Sequence, residues 1–384
     1  METLELLEIL ERGEDSRRQF KKNVTNADAL ASDMIAFSNG DGGKILIGVN
    51  DDGTIAGLSS DDVRRLNQLI SNAASQGVRP AINPVTENVM TDRGLIVSVD
   101  VSSGLNRPYQ DKNGVFWVKC GSDRRRATSR EEIQRLFQSS GLVHADATPV
   151  PGTTVADLDA DYFQEFFQRR FGEPLEKQDV SMPDILRNMN LLKDDCLNVC
   201  CVLLFARAPQ YRLPAFIVKA GAFDSTDLST AKYEDSRDLV GKLADVFQQT
   251  VSFIVFNLHH VQGEQGINSL GLPEIPSESI EELVANALIH RDYFISAPVR
   301  IFIFQDRVEI ISPGCLPNNL TVENIKAGNS NARNPVLASF ANHLIPYRGY
   351  GSGIIRALAK YPHIDLINDI EGNLFKATLK RGMR

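Results

Sequence analysis

The sequence predicts an α+β protein with more than one domain. Apolar residues follow helix-like and strand-like periods in a mixed order over residues 1–140, which predicts one α+β domain. The next stretch, 141–157, is rich in Pro, Gly and Thr and is typical of a linker. A second mixed region occupies the rest of the 384 residues. We divide it into a connecting α/β segment at 158–275 and a C-terminal α/β domain at 276–384.

The N-terminal region begins with a short helix. A second helix at 27–38 ends at the glycine-bearing break NGDGG, and the buried strand KILIGV follows. The turn NDDG and a continuing strand TIAGL then predict a hairpin. Further along we expect a helix at 61–77, strands at 95–101 and 115–119, and a helix at 129–139.

The connecting segment alternates helical and strand-like patterns. Two apolar runs, NVCCVLLFA at 198–206 and AFIVKAGAF at 215–223, predict buried strands. The long apolar-periodic helix at 239–258 is the natural candidate for packing against a partner subunit. Helices are also expected at 159–171 and 181–189, and a loop at 263–279.

Composition limits the classes of protein to consider. The five cysteines include no CxxC pair, which favours reduced thiols and a cytoplasmic location over disulfides or a zinc site. No run of about 18 apolar residues predicts a membrane helix, and the N-terminus lacks the apolar segment of a signal peptide. The net charge of −8 excludes a surface that binds nucleic acid everywhere. Any such role needs a local basic patch.

The stretch 277–293, SESIEELVANALIHRDY, predicts one helix with two different faces. Its apolar residues recur at the spacing of a core-facing stripe. Glu282 and Asn286 lie one turn apart on another face, where a carboxylate and a carboxamide suit a bound water and a hard cation. Alternatively, Ser279 and Glu282 form a capping box and Asn286 is solvated. The residues of this helix leave both interpretations open.

An ordered set of motifs characterises residues 10–140. Glu14 precedes Gln19-Phe20-Lys21, and Asn39, Gly42-Gly43, the strand ILIGV and the turn Asn50-Asp51-Asp52-Gly53 follow. This order resembles the Schlafen AlbA-type (divergent AAA) domain, and the resemblance implies nucleic-acid binding. In Schlafen nucleases it also implies a metal-dependent RNA-cleaving site of two glutamates and one aspartate.

By that resemblance the nuclease positions are Glu14, Gln19 and Asp51, with Asp52 a less favoured choice for the third. Converging carboxylates bind divalent cations that polarise a phosphodiester and generate hydroxide. The neutral Gln19 weakens cation binding and does not act as a base, so we expect a degenerate nuclease site with Glu14 and Asp51 as its remaining metal ligands.

Basic residues near these motifs are the candidates for contacting phosphates. Such contacts give salt-sensitive binding that is independent of sequence. The alternative is an ordinary solvated charged loop. The candidates are Lys21, Lys22, Arg124, Arg125, Arg126 and Arg130.

A second set of motifs follows the helix at 277–293. It comprises the strand and turn DRVEIISPGCL, the motif NARNP that closes a polar segment beginning at Asn318, and the glycine-rich helix start GYGSGI at 349–354. Glycines at a helix start leave backbone N–H groups free for phosphate oxygens. Together with ELVANALIHRDY, these motifs resemble the C-terminal ATP-binding region of proteins labelled RecG-like. That region belongs to the GHKL ATPases, whose fold is the Bergerat α/β sandwich.

The resemblance implies ATP and Mg²⁺ as ligands and assigns roles to residues. Glu282 would be the general base for water, and Asn286 the ligand to nucleotide-bound Mg²⁺. The phosphates would meet Gly349, Gly351, Ser352 and Gly353, with Arg333 pairing a phosphate from a mobile lid at 329–334. Ser312 and Gly314 stand in the adenine-recognition turn, where GHKL proteins usually carry an Asp.

These features favour a nucleic-acid-binding, ATP-binding regulator that acts in transcription or in defence against foreign nucleic acid. ATP binding or slow hydrolysis would switch the assembly of a homo-oligomer. The alternative is a metal-dependent Schlafen-like RNA or tRNA nuclease gated by ATP, which Gln19 disfavours. A third interpretation is an assembly protein with a structural ATP site.

Overall fold

The structure, a computed structural model, describes residues 3–228, 232–261, 271–317 and 320–382. The chain divides into two compact units between Val143 and His144. Both units mix helices with strands, so the predicted α+β class is confirmed. Over the described ranges, no helix combines the length and apolar character needed to cross a bilayer. Residues 263–270 of the predicted loop and the start of the polar segment at Asn318 lie outside these ranges.

The first unit is built on a four-stranded sheet in the order β1-β2-β5-β4, with β1 parallel to β2 and the other pairs antiparallel. Helix α2 and helix α1 contribute to the apolar clusters of this unit. The elements are α1 Thr3–Arg12, β1 Arg18–Lys21, α2 Ala27–Asn39, β2 Gly43–Ile47, α3 Ser60–Asn72, β3 Val78–Arg79, β4 Val85–Thr91, β5 Gly94–Val101, β6 Gln110–Asp111, β7 Trp117–Cys120, β8 Asp123–Arg126 and α4 Arg130–Ser139.

Helix α2 organises this unit because it is buried on every side from Leu30 to its end. Asn26 caps its start by accepting hydrogen bonds from two backbone N–H groups. At its end the buried Asn39 side chain bonds both backbone groups of Tyr109 and the Trp117 carbonyl, at 2.7–2.9 Å. A side chain at Gly43 would collide with the Phe37 ring, which explains the glycine after this helix.

Two predicted elements of this unit differ in the structure. The segment TIAGL forms isolated bridges, Val49 with Ile55 and Leu58 with Leu95, where we expected a continuing strand. Gly57 is the reason within this segment, since its φ of +72° bends the chain out of an extended path. The helix predicted at 61–77 ends as an α-helix at Asn72 and continues as one π-helical turn, Ala73–Gly77.

The second unit is built on a six-stranded mixed sheet in the order β12-β11-β15-β16-β18-β17. Strands β11 and β15 are parallel and the other neighbours are antiparallel. The elements are α5 Ala160–Phe171, α6 Met182–Asn188, β9 Leu192–Lys193, β10 Cys196–Leu197, α7 Val199–Phe205, α8 Pro209–Arg212, β11 Val218–Phe223, β12 Tyr233–Leu239, α9 Leu243–Phe256, β13 His260–Val261, β14 Leu272–Pro273, α10 Ser277–His290, β15 Val299–Ile303, β16 Arg307–Pro313, α11 Val322–Lys326, α12 Pro335–Ala341, α13 Gly353–Lys360, β17 Ile364–Asp369 and β18 Leu374–Lys380.

This unit contains residues that the sequence assigned to a linker, a connecting segment and a C-terminal domain. Strand β11 of the connecting segment pairs with β15, and α9 packs against α10. From the predicted linker, Ala145 and Val150 are buried in the same apolar core, and the Val150 N–H donates to the Leu197 carbonyl at 2.8 Å. One sheet and one core therefore join the three predicted parts.

The prediction of a buried strand at 198–206 is wrong. These residues form α7, whose seven residues are all buried. Asn198 caps its start by accepting from the Cys201 N–H at 2.8 Å. A helix buried on all sides shows no apolar stripe, so an uninterrupted apolar run does not distinguish it from a buried strand.

The helix predicted at 239–258 begins later than expected, at Leu243, because Leu239 ends β12 and the backbone is still extended at Lys242, the N-cap. Val246, Phe247 and Ile254 on one side of α9 are buried inside this unit, whereas Phe256 at its end is 76% exposed. The chain itself therefore covers the buried face of this helix, and packing against a partner subunit stays a prediction.

Candidate functional site

One cavity in the second unit collects most of the residues predicted for nucleotide binding. Helix α10 forms one wall and carries Glu282, Asn286 and His290 at successive turns. The facing wall is the glycine-rich turn at 349–353, which leads into α13. Apolar side chains from α10, the sheet and the loop after β16 line the rest, among them Leu283, Ala287, Ile310, Leu316, Phe375 and Ala377.

The start of α10 excludes the capping-box alternative for Glu282. The helix begins after Pro276, and no side chain caps its first turn. Ser279 is fully buried, and its hydroxyl donates to the Ala357 carbonyl on α13 at 3.0 Å. The Glu282 carboxylate therefore faces the cavity, where it meets Arg356 of α13.

The Glu282 carboxylate is held by one oxygen. Its Oε1 accepts from Arg356 Nε at 2.9 Å and also from Nη2. The third nitrogen of the guanidinium, Nη1, donates to Ser352 Oγ at 2.8 Å. Oε2 faces Gly353 so closely that a Cβ there would lie 2.5 Å from it. This leaves Oε2 as the carboxylate oxygen without an arginine contact.

The glycine-rich turn is shaped by close backbone approach. Gly349 and Gly351 have φ of +71° and +72°, a conformation that L side chains rarely adopt. A side chain at Gly351 would also collide with the Gly328 carbonyl, and one at Gly353 would fill the space before Glu282 and Asn286. The turn therefore presents bare backbone to the cavity, as phosphate binding requires.

Asn286 has the orientation of an oxygen ligand. Its Nδ2 donates to the Glu282 carbonyl one turn earlier, at 2.7 Å. Because a carbonyl only accepts, the nitrogen is committed and Oδ1 is left as an acceptor. Over the described residues no group of three His, Cys, Asp or Glu is placed to hold a metal ion. A Mg²⁺ carried by phosphates needs only one or two protein ligands, and Asn286 fits that requirement.

The turn predicted to recognise adenine lies on the cavity wall. The Ser312 hydroxyl is buried and donates to the Ala287 carbonyl of α10 at 3.0 Å. Gly314 follows with a φ of +96°, and a side chain there would collide with Asp292 and Arg333. Both residues line the cavity beside α10, and their role in recognising adenine stays a prediction.

Arg333 is placed differently from its predicted partners. It is absent from the cavity lining, and its guanidinium donates to the carbonyls of Cys315, at 2.5 Å, and His290, at 3.5 Å. Its pKa is lowered by burial. Its observed contacts hold the turn at 312–316 against the end of α10, and the predicted phosphate contact stays a prediction.

His290 and Tyr347 are cavity residues that the sequence reasoning missed. His290 Nε2 lies 3.1 Å from the Tyr347 hydroxyl. Burial and the nearby Arg333 charge lower the pKa of His290 to about 4, so the imidazole is neutral near pH 7. The signal was available, because His290 follows Asn286 by four residues and Glu282 by eight. Arg356 was missed too, and its position depends on how α13 packs on α10.

Among the described residues, the predicted nuclease positions belong to no group of three His, Cys, Asp or Glu placed to hold a metal ion. Glu14 Oε1 accepts from the Phe20 N–H on β1 at 2.6 Å. Gln19 is 4% exposed, and its side-chain oxygen has no hydrogen-bond partner. Asp51 is exposed in the turn after Asn50. Glu14 is thus engaged by the backbone, and the buried amide of Gln19 carries no charge to attract a cation.

The three consecutive arginines do not share one face. Strands β7 and β8 form a hairpin, in which successive side chains point to opposite sides. Arg124 and Arg126 lie with the Trp117 ring, at 5.5 and 5.3 Å from its centroid. Arg125 forms a two-pronged ion pair with Glu132 of α4.

The residues predicted to bind phosphate also differ in their ion-pair partners and in their exposure. Arg124 is paired with Asp33 of α2, whose side chain is 3% exposed. Arg126, Lys22 and Arg130 are exposed, and Lys21 is half-buried. Lys119, a residue that we did not predict, lies 4.7 Å from the Phe37 ring centroid, and burial lowers its pKa. Arg126 is therefore the arginine of the run best placed to meet a phosphate.

Comparison with protein families identifies both regions. Residues 14–128 match the family model "Schlafen, AlbA_2", and residues 296–368 match "Putative ATP-dependent DNA helicase recG C-terminal". A search of curated proteins gave no match.

Solved structures add a weaker likeness. The chain is 21% identical to the DIP2311 protein from Corynebacterium diphtheriae, over 99% of this chain and 80% of that one, with a TM-score of 0.45. It is 24% identical to the N-terminal domain of a RecG-related protein from Nitrosomonas europaea, over 33% of this chain and 94% of that one, with a TM-score of 0.22. The architecture predicted from the motifs is confirmed by the family matches: the chain combines a Schlafen AlbA_2 region with a RecG-type C-terminal region.

Proposed function

We propose that the second unit binds ATP with Mg²⁺ in the cavity between α10 and the glycine-rich turn. The observation that carries this proposal is the pair Glu282 and Asn286 facing the bare backbone of Gly351 and Gly353. One wall supplies oxygen ligands, the other supplies space and N–H groups for phosphates, and the apolar lining suits a purine ring.

In this proposal the Ser312 hydroxyl selects adenine as the base of the nucleotide. Its proton is committed to the Ala287 carbonyl, so towards a ligand the oxygen is only an acceptor. Adenine presents an amino group, which donates, where guanine and hypoxanthine present a carbonyl, which accepts. A neutral acceptor gives weaker selectivity than the usual Asp, because hydrogen bonds to charged groups are stronger.

Hydrolysis in this site would depend on Glu282. When bound, Mg²⁺ neutralises phosphate charge and polarises the phosphoryl oxygens. Asn286 Oδ1 is oriented to hold that ion, while Glu282 Oε2 is the oxygen free of arginine and so the one able to take a proton from water. In the structure Oε1 is bound to Arg356, so only Oε2 is free to take that role.

We assign nucleic-acid binding to the first unit, through Arg126, Lys21, Lys22 and Arg130. Arg126 is exposed and lies 5.3 Å from the Trp117 ring centroid, and a cation beside an aromatic ring suits phosphates and bases. The neutral, buried Gln19 supports binding without cleavage. On this basis the protein is an ATP-responsive regulator, in transcription or in defence against foreign nucleic acid, whose homo-oligomeric assembly changes with ATP.

Titration of the full chain tests both assignments. Calorimetry with ATP and Mg²⁺ should give saturable binding, and fluorescence anisotropy with labelled DNA and RNA should show affinity that falls with salt. No saturable ATP binding would refute the nucleotide assignment. Cleavage of labelled tRNA with Mg²⁺ or Mn²⁺, abolished in Glu14→Ala, would replace the binding role by the nuclease alternative.

A further inference from the structure

Arg356 is the charged cavity residue that no motif assigns. It lies on α13, three residues after Gly353, and lines the cavity. All three of its nitrogens are engaged, two by Glu282 Oε1 and one by Ser352 Oγ. The arginine side chain is 37% exposed and the glutamate 13%, so the cation is the more accessible member of the pair.

The partners of Arg356 lie on both sides of the phosphate position. Ser352 belongs to the turn that is expected to hold phosphates, and Glu282 belongs to the opposite wall. A planar guanidinium can donate two parallel hydrogen bonds to a phosphate group, as it can to a carboxylate group. A polyphosphate on the glycine-rich turn therefore competes with Glu282 for the same donors.

We infer that Arg356 exchanges Glu282 for phosphate oxygens when a nucleoside polyphosphate binds. In this exchange Arg356 becomes a phosphate ligand. The Glu282 carboxylate loses its cationic partner, so both of its oxygens become available to a water molecule. The inference rests on the proposed nucleotide function of this cavity. It gives Glu282 two states, one paired and one available as a base, and the ligand selects between them.

The exchange predicts the direction in which the Glu282 charge changes the affinity for ATP. In the free protein the Glu282 charge competes with the phosphates for Arg356, so it opposes ATP binding. Glu282→Gln keeps the size of the side chain and removes that competition. A purely structural ion pair predicts the reverse, because loss of the charge would loosen the wall of the site and weaken binding.

The test compares ATP with adenosine on the full chain. ATP binding is measured by calorimetry with Mg²⁺ and adenosine binding by an NMR titration. Arg356→Ala should weaken ATP binding roughly 10- to 100-fold, as expected for a lost contact between charged groups, and leave adenosine binding unchanged. Arg356→Lys should recover part of the loss, because it restores a charge without the two-pronged geometry.

Lys360→Ala is the matched control, since it removes a positive charge from the exposed end of the same helix. It should leave both affinities unchanged. Glu282→Gln should tighten ATP binding several-fold, and the gain should vanish when Arg356 is also replaced by Ala. Thermal unfolding of each variant shows whether it is folded. If Arg356→Ala does not fold, Arg356→Lys replaces it in the comparison.

The results separate this inference from the function on which it rests. If the unmodified protein binds neither ATP nor adenosine, both are wrong. If it binds them and Arg356→Ala leaves the ratio of the two affinities unchanged, or Glu282→Gln weakens ATP binding, the nucleotide site stands and the exchange is refuted.

Discussion

The two units treat neighbouring charged residues in opposite ways. On α10, residues spaced by four converge on one cavity, because a helix turns through slightly more than a full circle in that distance. On β8, three arginines in sequence diverge, because a strand turns its side chains to alternate faces. Spacing in sequence predicts a site on a helix, whereas adjacency in sequence does not predict one on a strand.

The divergence of the arginines implies different roles. Replacing Arg124 should have the largest effect, on the free energy of unfolding. Arg124→Ala leaves the buried Asp33 without its partner, so the free energy of unfolding should fall by about 3 kcal/mol, the lower end of the cost of breaking a buried pair. Urea denaturation measures this. Lys112→Ala, which removes an exposed partner from Asp28 on the same helix, should cost less than about 1 kcal/mol. Equal losses would show that the burial of Asp33 does not matter.

The convergence on α10 is tested by Asn286→Ala. The change removes the oxygen aimed at the cavity, and ATP affinity in the presence of Mg²⁺ should fall roughly 100-fold, the upper end for a contact with a charged group. Calorimetry measures the loss. Asn342→Ala, at the exposed end of α12, should not change the affinity. A loss below threefold would remove Asn286 from the site.

Selectivity for the nucleotide base is a further test of the cavity beside α10. Ser312→Ala removes the acceptor for the adenine amino group, so the preference for ATP over inosine triphosphate should fall roughly 3- to 10-fold, the worth of one neutral hydrogen bond. Competition titrations give the ratio. If the unmodified protein binds both nucleotides equally, Ser312 does not read the base.

The smallest expected effect separates Arg126 from Arg125. Arg126→Ala should reduce the salt slope of nucleic-acid binding by about 1 and weaken affinity roughly fivefold near 0.15 M salt, as loss of one phosphate contact does. Arg125→Ala should change both less, because its guanidinium is already paired with Glu132. Anisotropy titrations at several salt concentrations compare them. The opposite order would place the nucleic acid on the α4 side of the hairpin.

The structure also shows why some elements were predicted and others were not. The residues of α10 and the glycine-rich turn carry local signals, since helical spacing and positive φ depend on few neighbours. The helix α7 was mistaken for a strand because its burial on all sides erased the periodic signal. Its true environment comes from elements distant in sequence, which no local pattern reports.

By itself the sequence determined the α+β class, the order of the motifs, and the shared face of Glu282 and Asn286, all of which follow from local periodicity and side-chain chemistry. Tertiary structure decided which partner each group meets. Only the packing of α13 on α10 brings Arg356 to Glu282, and only the hairpin on α2 brings Arg124 to Asp33. Charges in both pairs are distant in sequence, so their pairing depends on the fold as a whole.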